Sequence, residues 1–132
     1  MRPRVTRAVL DASAVLVALY GEPGAGVVDA EIRGAAMSAV NAAEVISKLV
    51  ERGMTAKMAA SALIDTGVEI VEFDLDQATI AGHLRTKTKS FGFSLGDRAC
   101  LALAQRIKGR AITADQAWAK IEGLGIEIEV LR

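Results

Sequence analysis

The sequence predicts an α/β fold in which a central, mainly parallel sheet of about five strands carries helices on both faces. Three observations lead there. Five short apolar or alternating segments, at residues 5–10, 35–40, 68–73, 111–113 and 126–131, have the length and residue types of strands. Segments of helical character separate them. Glycines or capping residues stand at most of the junctions.

Residues 5–10 form an apolar run that stops at Asp11, as a buried strand does. Ser13 opens a helical run to Tyr20, which Gly21-Glu22-Pro23-Gly24 breaks. Residues 25–33 read as a weaker helix, and residues 35–40 as a strand of mostly small side chains. Asn41 opens a helix to Arg52, and Gly53 stands where a left-handed cap is wanted. Thr55 caps the next helix, with Met58, Ala59, Ala62 and Leu63 on its apolar face and Gly67 at its end. Residues 68–73 alternate apolar and polar, and residues 75–87 look helical. A loop spans residues 88–93. Ser94 starts a helix that reaches Lys108, with Gly109 as terminator. Residues 99–104 within it are apolar on nearly every side, which predicts deep burial. A brief strand at 111–113, a short helix at 115–122 and an alternating strand at 126–131 close the sheet.

At 132 residues the chain suits a single domain over 1–132, and no repeat, low-complexity tract or long linker divides it. A hydrophobic fraction of 52% allows a sizeable core, and an aromatic fraction of 4% makes that core one of Ala, Val, Leu and Ile. Sixteen basic residues offset sixteen acidic ones. That excludes binding of nucleic acid by bulk charge and leaves room for a local basic patch. The single Cys100 cannot form an internal disulfide, which fits a reducing cytoplasm. The apolar run after Arg2, Arg4 and Arg7 meets Asp11 too soon for a signal peptide, and no apolar stretch approaches the ~20 residues of a membrane span. A soluble cytoplasmic protein without a membrane partner is expected.

Four carboxylates stand at predicted strand ends or helix starts. Asp11 ends the first, Glu44 lies in the first turn of the helix after the second, Asp97 in the first turn of the helix from Ser94, and Asp115 two residues past Thr113. An open parallel sheet binds ligands outside the carboxyl ends of its strands, so these acids are expected to converge. Each also has a structural reading. Asn41-Ala-Ala-Glu44 and Ser94-Leu-Gly-Asp97 have the spacing of capping boxes, and the macrodipole favours an acid at a helix start by ~0.3–1 kcal/mol. As a group, however, the acids repel one another, and a divalent cation relieves that repulsion. Oxygen donors suit Mg²⁺ or Mn²⁺, and no Cys or His stands at zinc-site spacing. Such a site suits hydrolysis of a phosphodiester.

At these residues the chain resembles the PIN-domain nucleases, and among them the VapC toxins of bacterial toxin–antitoxin pairs. The matching stretches are Val9-Leu10-Asp11-Ala-Ser13-Ala-Val-Leu, Ser38-Ala-Val-Asn41-Ala-Ala-Glu44-Val, Ser94-Leu-Gly96-Asp97-Arg98-Ala-Cys-Leu-Ala-Leu-Ala and Ile112-Thr113-Ala-Asp115-Gln-Ala-Trp118. They follow the family's order and cover essentially the whole chain. The resemblance implies a PIN-like three-layer α/β/α sandwich. It also implies a metal-dependent endoribonuclease toxin that is held inactive by a cognate antitoxin and is usually dimeric. Asp11, Glu44 and Asp97 would be the core metal-binding acids, Asp115 the fourth, and Thr113 the supporting hydroxyl.

Other residues carry two readings each. Ser13 either touches a metal-bound water or caps its helix, Asn41 has the same pair of readings, and Thr113 either supports the site or serves a turn or cap. Arg98 either reaches a phosphate or pairs with an acid. Arg85, Lys87 and Lys89 form a basic run that is either a solvated face or a contact for the RNA backbone. His83, which general-base chemistry could use, reads rather as structural or surface, Cys100 as a buried small hydrophobe, Trp118 as a packing anchor, and Tyr20 with residues 16–19 as core or an apolar interface. Two rival functions fit less of the sequence: a non-catalytic RNA- or protein-binding module, and a receiver-type phosphoacceptor domain, which needs a strand-end Lys that is not evident here.

Overall fold

The computed structural model describes residues 6–131 and has the predicted alternation of strands and helices. Strands β1 (Ala8–Leu10), β2 (Ala36–Ser38), β3 (Glu69–Val71), β4 (Arg110–Thr113) and β5 (Glu127–Val130) form one sheet in the order β3-β2-β1-β4-β5. All four neighbouring pairs are parallel. Val5, read above as the start of the first strand, lies outside the described residues.

The pleat sends alternate residues to opposite faces, and the core divides accordingly. Ala8, Leu10, Met37 and Ile112 pack beneath α1 (Ala12–Tyr20), α2 (Ala25–Asp29), α3 (Ala39–Glu51) and α4 (Ala56–Asp65). Val9, Ala36 and Ala111 face the other way. They pack with Cys100, Leu101, Leu103 and Ala104 of α7 (Leu95–Ile107), together with Leu84, Phe93 and Trp118. On that side lie also α5 (Leu75–His83) and the short α6 (Arg85–Thr88), which follows it directly. This is the three-layer α/β/α sandwich. Residues 99–104 of α7 are all buried, as their apolar run predicts. Trp118 is 1% exposed and stacks on Phe93 with ring centroids 5.0 Å apart.

Several boundaries differ from the sequence reading. Asp11, not Ser13, caps α1: its Oδ1 accepts from the Ala14 N–H at 2.8 Å. Ser38 caps α3 by accepting from the Val40 N–H, so the helix begins ahead of Asn41. Asn41 is therefore no cap, and Glu44 stands in the second turn rather than the first. Met58 is exposed, because α4 turns only Ala59 and Leu63 fully inward. The predicted 75–87 helix breaks at Leu84 into α5 and α6, and the 88–93 loop contains a 3-10 turn at Lys89–Phe91. At the end of α7 it is Lys108, φ 56°, that takes the left-handed conformation. Gly109 matters for a different reason: a Cβ there would stand 2.7 Å from the Arg7 carbonyl. The helix after Asp115 is a 3-10 segment, Gln116–Lys120.

The order of the strands fixes where a site can form. The chain runs outward from β1 through β2 to β3, then crosses back to lay β4 on the other side of β1. The connections therefore diverge at the carboxyl ends of β1 and β4, which leaves a crevice there.

Candidate active site

Asp11 leaves β1 at that crevice, and Thr113 and Asp115 leave β4 beside it. The two strands are in register, with Leu10 opposite Ile112. Helices α3 and α7 bring Glu44 and Asp97. One cleft of about 210 Å³ is lined by Asp11, Glu44, Asp97 and Asp115 together, with Asn41 and Lys48 among its other walls.

Each acid is held by its own scaffold. Asp11 is 5% exposed and accepts from the Ser13 Oγ at 2.8 Å, the Ala14 N–H at 2.8 Å and the Thr113 Oγ1 at 2.5 Å. Ser13 Oγ in turn accepts from the Ala114 N–H at 2.9 Å, which ties α1 to the end of β4. Thr113 Oγ1 accepts from the Asp115 N–H at 3.0 Å. Both hydroxyls thus orient Asp11, and Ser13 does so without capping. Asp97 sits in a capping box: its Oδ2 accepts from the Ser94 N–H while the Ser94 Oγ accepts from the Asp97 N–H. It caps α7 and lines the cleft at once, so the two readings are not alternatives. Asp115 caps its 3-10 segment through Oδ1, which accepts from the Ala117 N–H at 3.0 Å.

Asn41 is buried and donates from Nδ2 to Glu44 Oε1 at 2.8 Å and to the Gly96 carbonyl at 3.0 Å. It locks α3 to α7 and aims Glu44. Both partners are acceptors, so the amide's orientation is determined, and its Oδ1 is left buried without a partner. Gly96 is the seat for the Glu44 carboxylate. A Cβ there would lie 2.5 and 2.6 Å from the two carboxylate oxygens.

Burial dominates the electrostatics of the cleft floor. Burial pushes the Asp11 carboxyl from its ordinary 3.8 up to about 6; Asp97 adds to the rise, while the bonds from Thr113, Ala14 and Ser13 oppose it. The Cys100 thiol, fully buried on α7, is pushed well up by burial and further by the charges of Asp11, Asp97 and Glu44. Among the described residues no three Asp, Glu, His or Cys side chains are drawn together tightly enough to hold an ion unaided. The donors are carboxylates around an open cleft. That suits a hard cation that keeps water and shares its coordination with a substrate.

The predicted basic contacts lie elsewhere. Arg98 points to α5 and donates to the Ala81 carbonyl at 2.9 Å; it does not line the cleft and pairs with no acid among the described residues. Arg85, Lys87 and Lys89 are exposed along α6 and the 3-10 turn after it, and none lines the cleft. His83, at the end of α5, is exposed as expected. Among the described residues the cation that does line the cleft is Lys48, which the sequence reading passed over. Its signal was the i,i+4 spacing from Glu44, which puts both on one face of α3. Gly96 was also passed over, although it stands inside the Ser94–Asp97 motif.

Comparisons with known proteins agree with the architecture. No curated protein sequence matches the chain. Three similar solved structures are toxin–antitoxin proteins. VapBC2 from Rickettsia felis, bound to a promoter DNA fragment, is 16% identical over 95% of this chain and 98% of that one, with a TM-score of 0.70. VapC20 from Mycobacterium tuberculosis, a toxin that cleaves the sarcin–ricin loop, is 18% identical over 87% and 96%, with a TM-score of 0.69. A toxin–antitoxin complex from Klebsiella pneumoniae is 24% identical over 92% and 99%, with a TM-score of 0.64. At these identities they show a shared fold. The PIN domain profile matches residues 8–124, a span that holds all four cleft acids. On that match, and with the five-stranded parallel sandwich it accompanies, the chain belongs to the PIN domain family.

Proposed function

We propose that this chain is a metal-dependent endoribonuclease that hydrolyses RNA phosphodiester bonds and serves as the toxin of a toxin–antitoxin pair. The observation that carries the reading is the meeting of Asp11, Glu44, Asp97 and Asp115 in one cleft at the carboxyl edge of the sheet. The toxin–antitoxin setting of its structural neighbours supports the biological role.

The residues fit a hard divalent cation, Mg²⁺ or Mn²⁺. The donor set is all oxygen, burial with a smaller push from Asp97 raises Asp11, and the Asn41 Oδ1 stands buried without a partner beside it. Asp11, Glu44 and Asp97 would hold the ion, with Asp115 as the fourth acid. When bound, such an ion supplies Lewis-acid activation of water and offsets charge at the phosphate. The chain itself supplies orientation. Thr113 and Ser13 fix both oxygens of Asp11, Asn41 and Gly96 fix Glu44, and the Ser94 backbone fixes Asp97. A site held this rigidly places the reacting groups before substrate arrives.

The partners follow from the same reading: an RNA substrate, a cognate antitoxin that masks the site, and a second copy of the chain in a homodimer. The setting is the cytoplasm. No helix among the described residues is long and apolar enough to cross a membrane. The test is cleavage of structured RNA by the purified chain with Mg²⁺, with EDTA, and by Asp11→Asn with Mg²⁺. Cleavage only in the first supports the reading, and equal cleavage in all three removes it. Expression without the antitoxin should arrest growth, and Asp97→Asn should relieve the arrest.

A further inference from the structure

Glu44, Lys48 and Arg52 follow one another at i,i+4 spacing along α3, about 6 Å of helix rise per step. Glu44 and Lys48 line the acidic cleft. Lys48 and Arg52 line a second cleft of about 420 Å³, which shares Ser13, Leu16 and Lys48 with the first. The two form one trough with acids at one end and cations beyond them. Tyr20 lines the second part, and the Arg52 guanidinium lies 4.2 Å over its ring centroid.

We infer that this second part is a subsite for the RNA strand flanking the scissile bond, with Lys48 gripping the phosphate at the junction. The inference rests on the nuclease reading above. Four carboxylates repel an incoming phosphate, and a chain with no net charge offers no bulk attraction to offset that. A bound divalent ion offsets the acids at the scissile phosphate, but the strand beyond it needs a cation of the chain's own, and among the described residues Lys48 is the one that lines both parts of the trough. It is free to do so. Its pair with Glu51 is 3.8 Å long with both side chains over 60% exposed, a contact that a phosphate readily displaces. Glu22 and Glu51 also line the trough. Its charge is thus mixed, which suits one or two phosphates rather than a long duplex. Leu16 and Tyr20, both partly exposed, offer apolar surface for a sugar or base.

The test measures binding of a labelled, mixed-sequence single-stranded RNA oligonucleotide across a salt series with Mg²⁺ present. The full chain carries Asp97→Asn so that the RNA stays intact. Adding Lys48→Gln should weaken binding roughly tenfold. It should also flatten the slope of log K against log salt by about 0.7, the value of one phosphate contact on a single strand. Lys48→Arg should restore the slope. A merely structural role for Lys48 would leave that slope untouched. An unchanged slope in Lys48→Gln, or an arginine variant no better than glutamine, overturns the inference. If wild-type chain still cuts RNA in a metal-dependent manner while that slope stays unchanged, the nuclease reading survives and only the subsite falls. Absence of metal-dependent cleavage discards both.

Discussion

Gly96 offers a way to move one carboxylate without touching it. A Cβ built on Gly96 meets three atoms first, all in Glu44: Oε2 at 2.5 Å, Oε1 at 2.6 Å and Cδ at 2.7 Å. Ordinary contact begins at 3.4 Å, so Gly96→Ala must drive the nearest oxygen back by about 0.9 Å, the difference between 3.4 and 2.5 Å. The backbone has no objection. Gly96 is the second residue of α7 and its φ is not positive, and alanine in a helix is favoured over glycine by up to ~1 kcal/mol. Glu44 is exposed, so the fold can accommodate the methyl by swinging the carboxylate off Gly96, while Asn41 Nδ2 keeps its bond to the Gly96 carbonyl. The site cannot. A misplacement of about 1 Å costs on the order of a hundredfold in rate. The expected outcome is a variant with an unchanged or raised melting temperature and an RNA cleavage rate, at saturating Mg²⁺, lower by about a hundredfold. Full activity in a folded Gly96→Ala chain would refute the claim that Glu44 acts from its seat on Gly96.

Two further outcomes follow from the same geometry. Asp11 titrates near 6 in the folded chain against 3.8 ordinarily, so its protonated form is favoured by folding. Its contribution to stability is fully present below about 3.8 and is lost as pH rises through about 6, to the extent of about 3 kcal/mol. In EDTA, urea unfolding of the wild type should therefore lose stability between pH 4 and 7 relative to Asp11→Asn, and parallel pH profiles for the two would contradict the burial of that charge. Asn41→Asp keeps the shape of the side chain but sets an acceptor against Glu44 Oε1 and the Gly96 carbonyl. Stability at pH 7 should fall by about 3 kcal/mol, measured by denaturant unfolding, with a smaller fall at pH 4, where the new carboxyl can donate.

The strands and the four acids were legible because both obey rules that act locally. A short apolar run that stops at a charge, as 8–10 does at Asp11, reads as a strand in any context, and acids at strand ends or at the start of a helix that leads back into the sheet, as Asp97 is, gather at its carboxyl edge. The interior of α7 was legible for a similar reason, since an all-apolar helix has nowhere to lie but the core. What failed were choices that tertiary contacts decide. Asn41 and Glu44 have the spacing of a capping box, but i,i+3 is equally the spacing of two side chains that touch on a helix already begun. Ser38, three residues earlier, took the cap. Alanines at 35, 36 and 39 carry no periodicity that marks the boundary. Arg98 follows an active-site acid in sequence, yet one step along a helix turns a side chain by about 100°, which sends it to α5. Lys48 and Gly96 were hidden because their importance lies in what stands opposite them, on a neighbouring helix.

The central claim is that four distant carboxylates make one divalent-cation site. Calorimetric titration of Mn²⁺ into the EDTA-stripped chain tests it most directly, alongside Asp11→Asn and Asp97→Asn. Saturable binding by the wild type, weakened at least about tenfold in each variant, is the expected result. Wild-type and variant titrations that superimpose would contradict it, and would leave these acids as caps for their own helices.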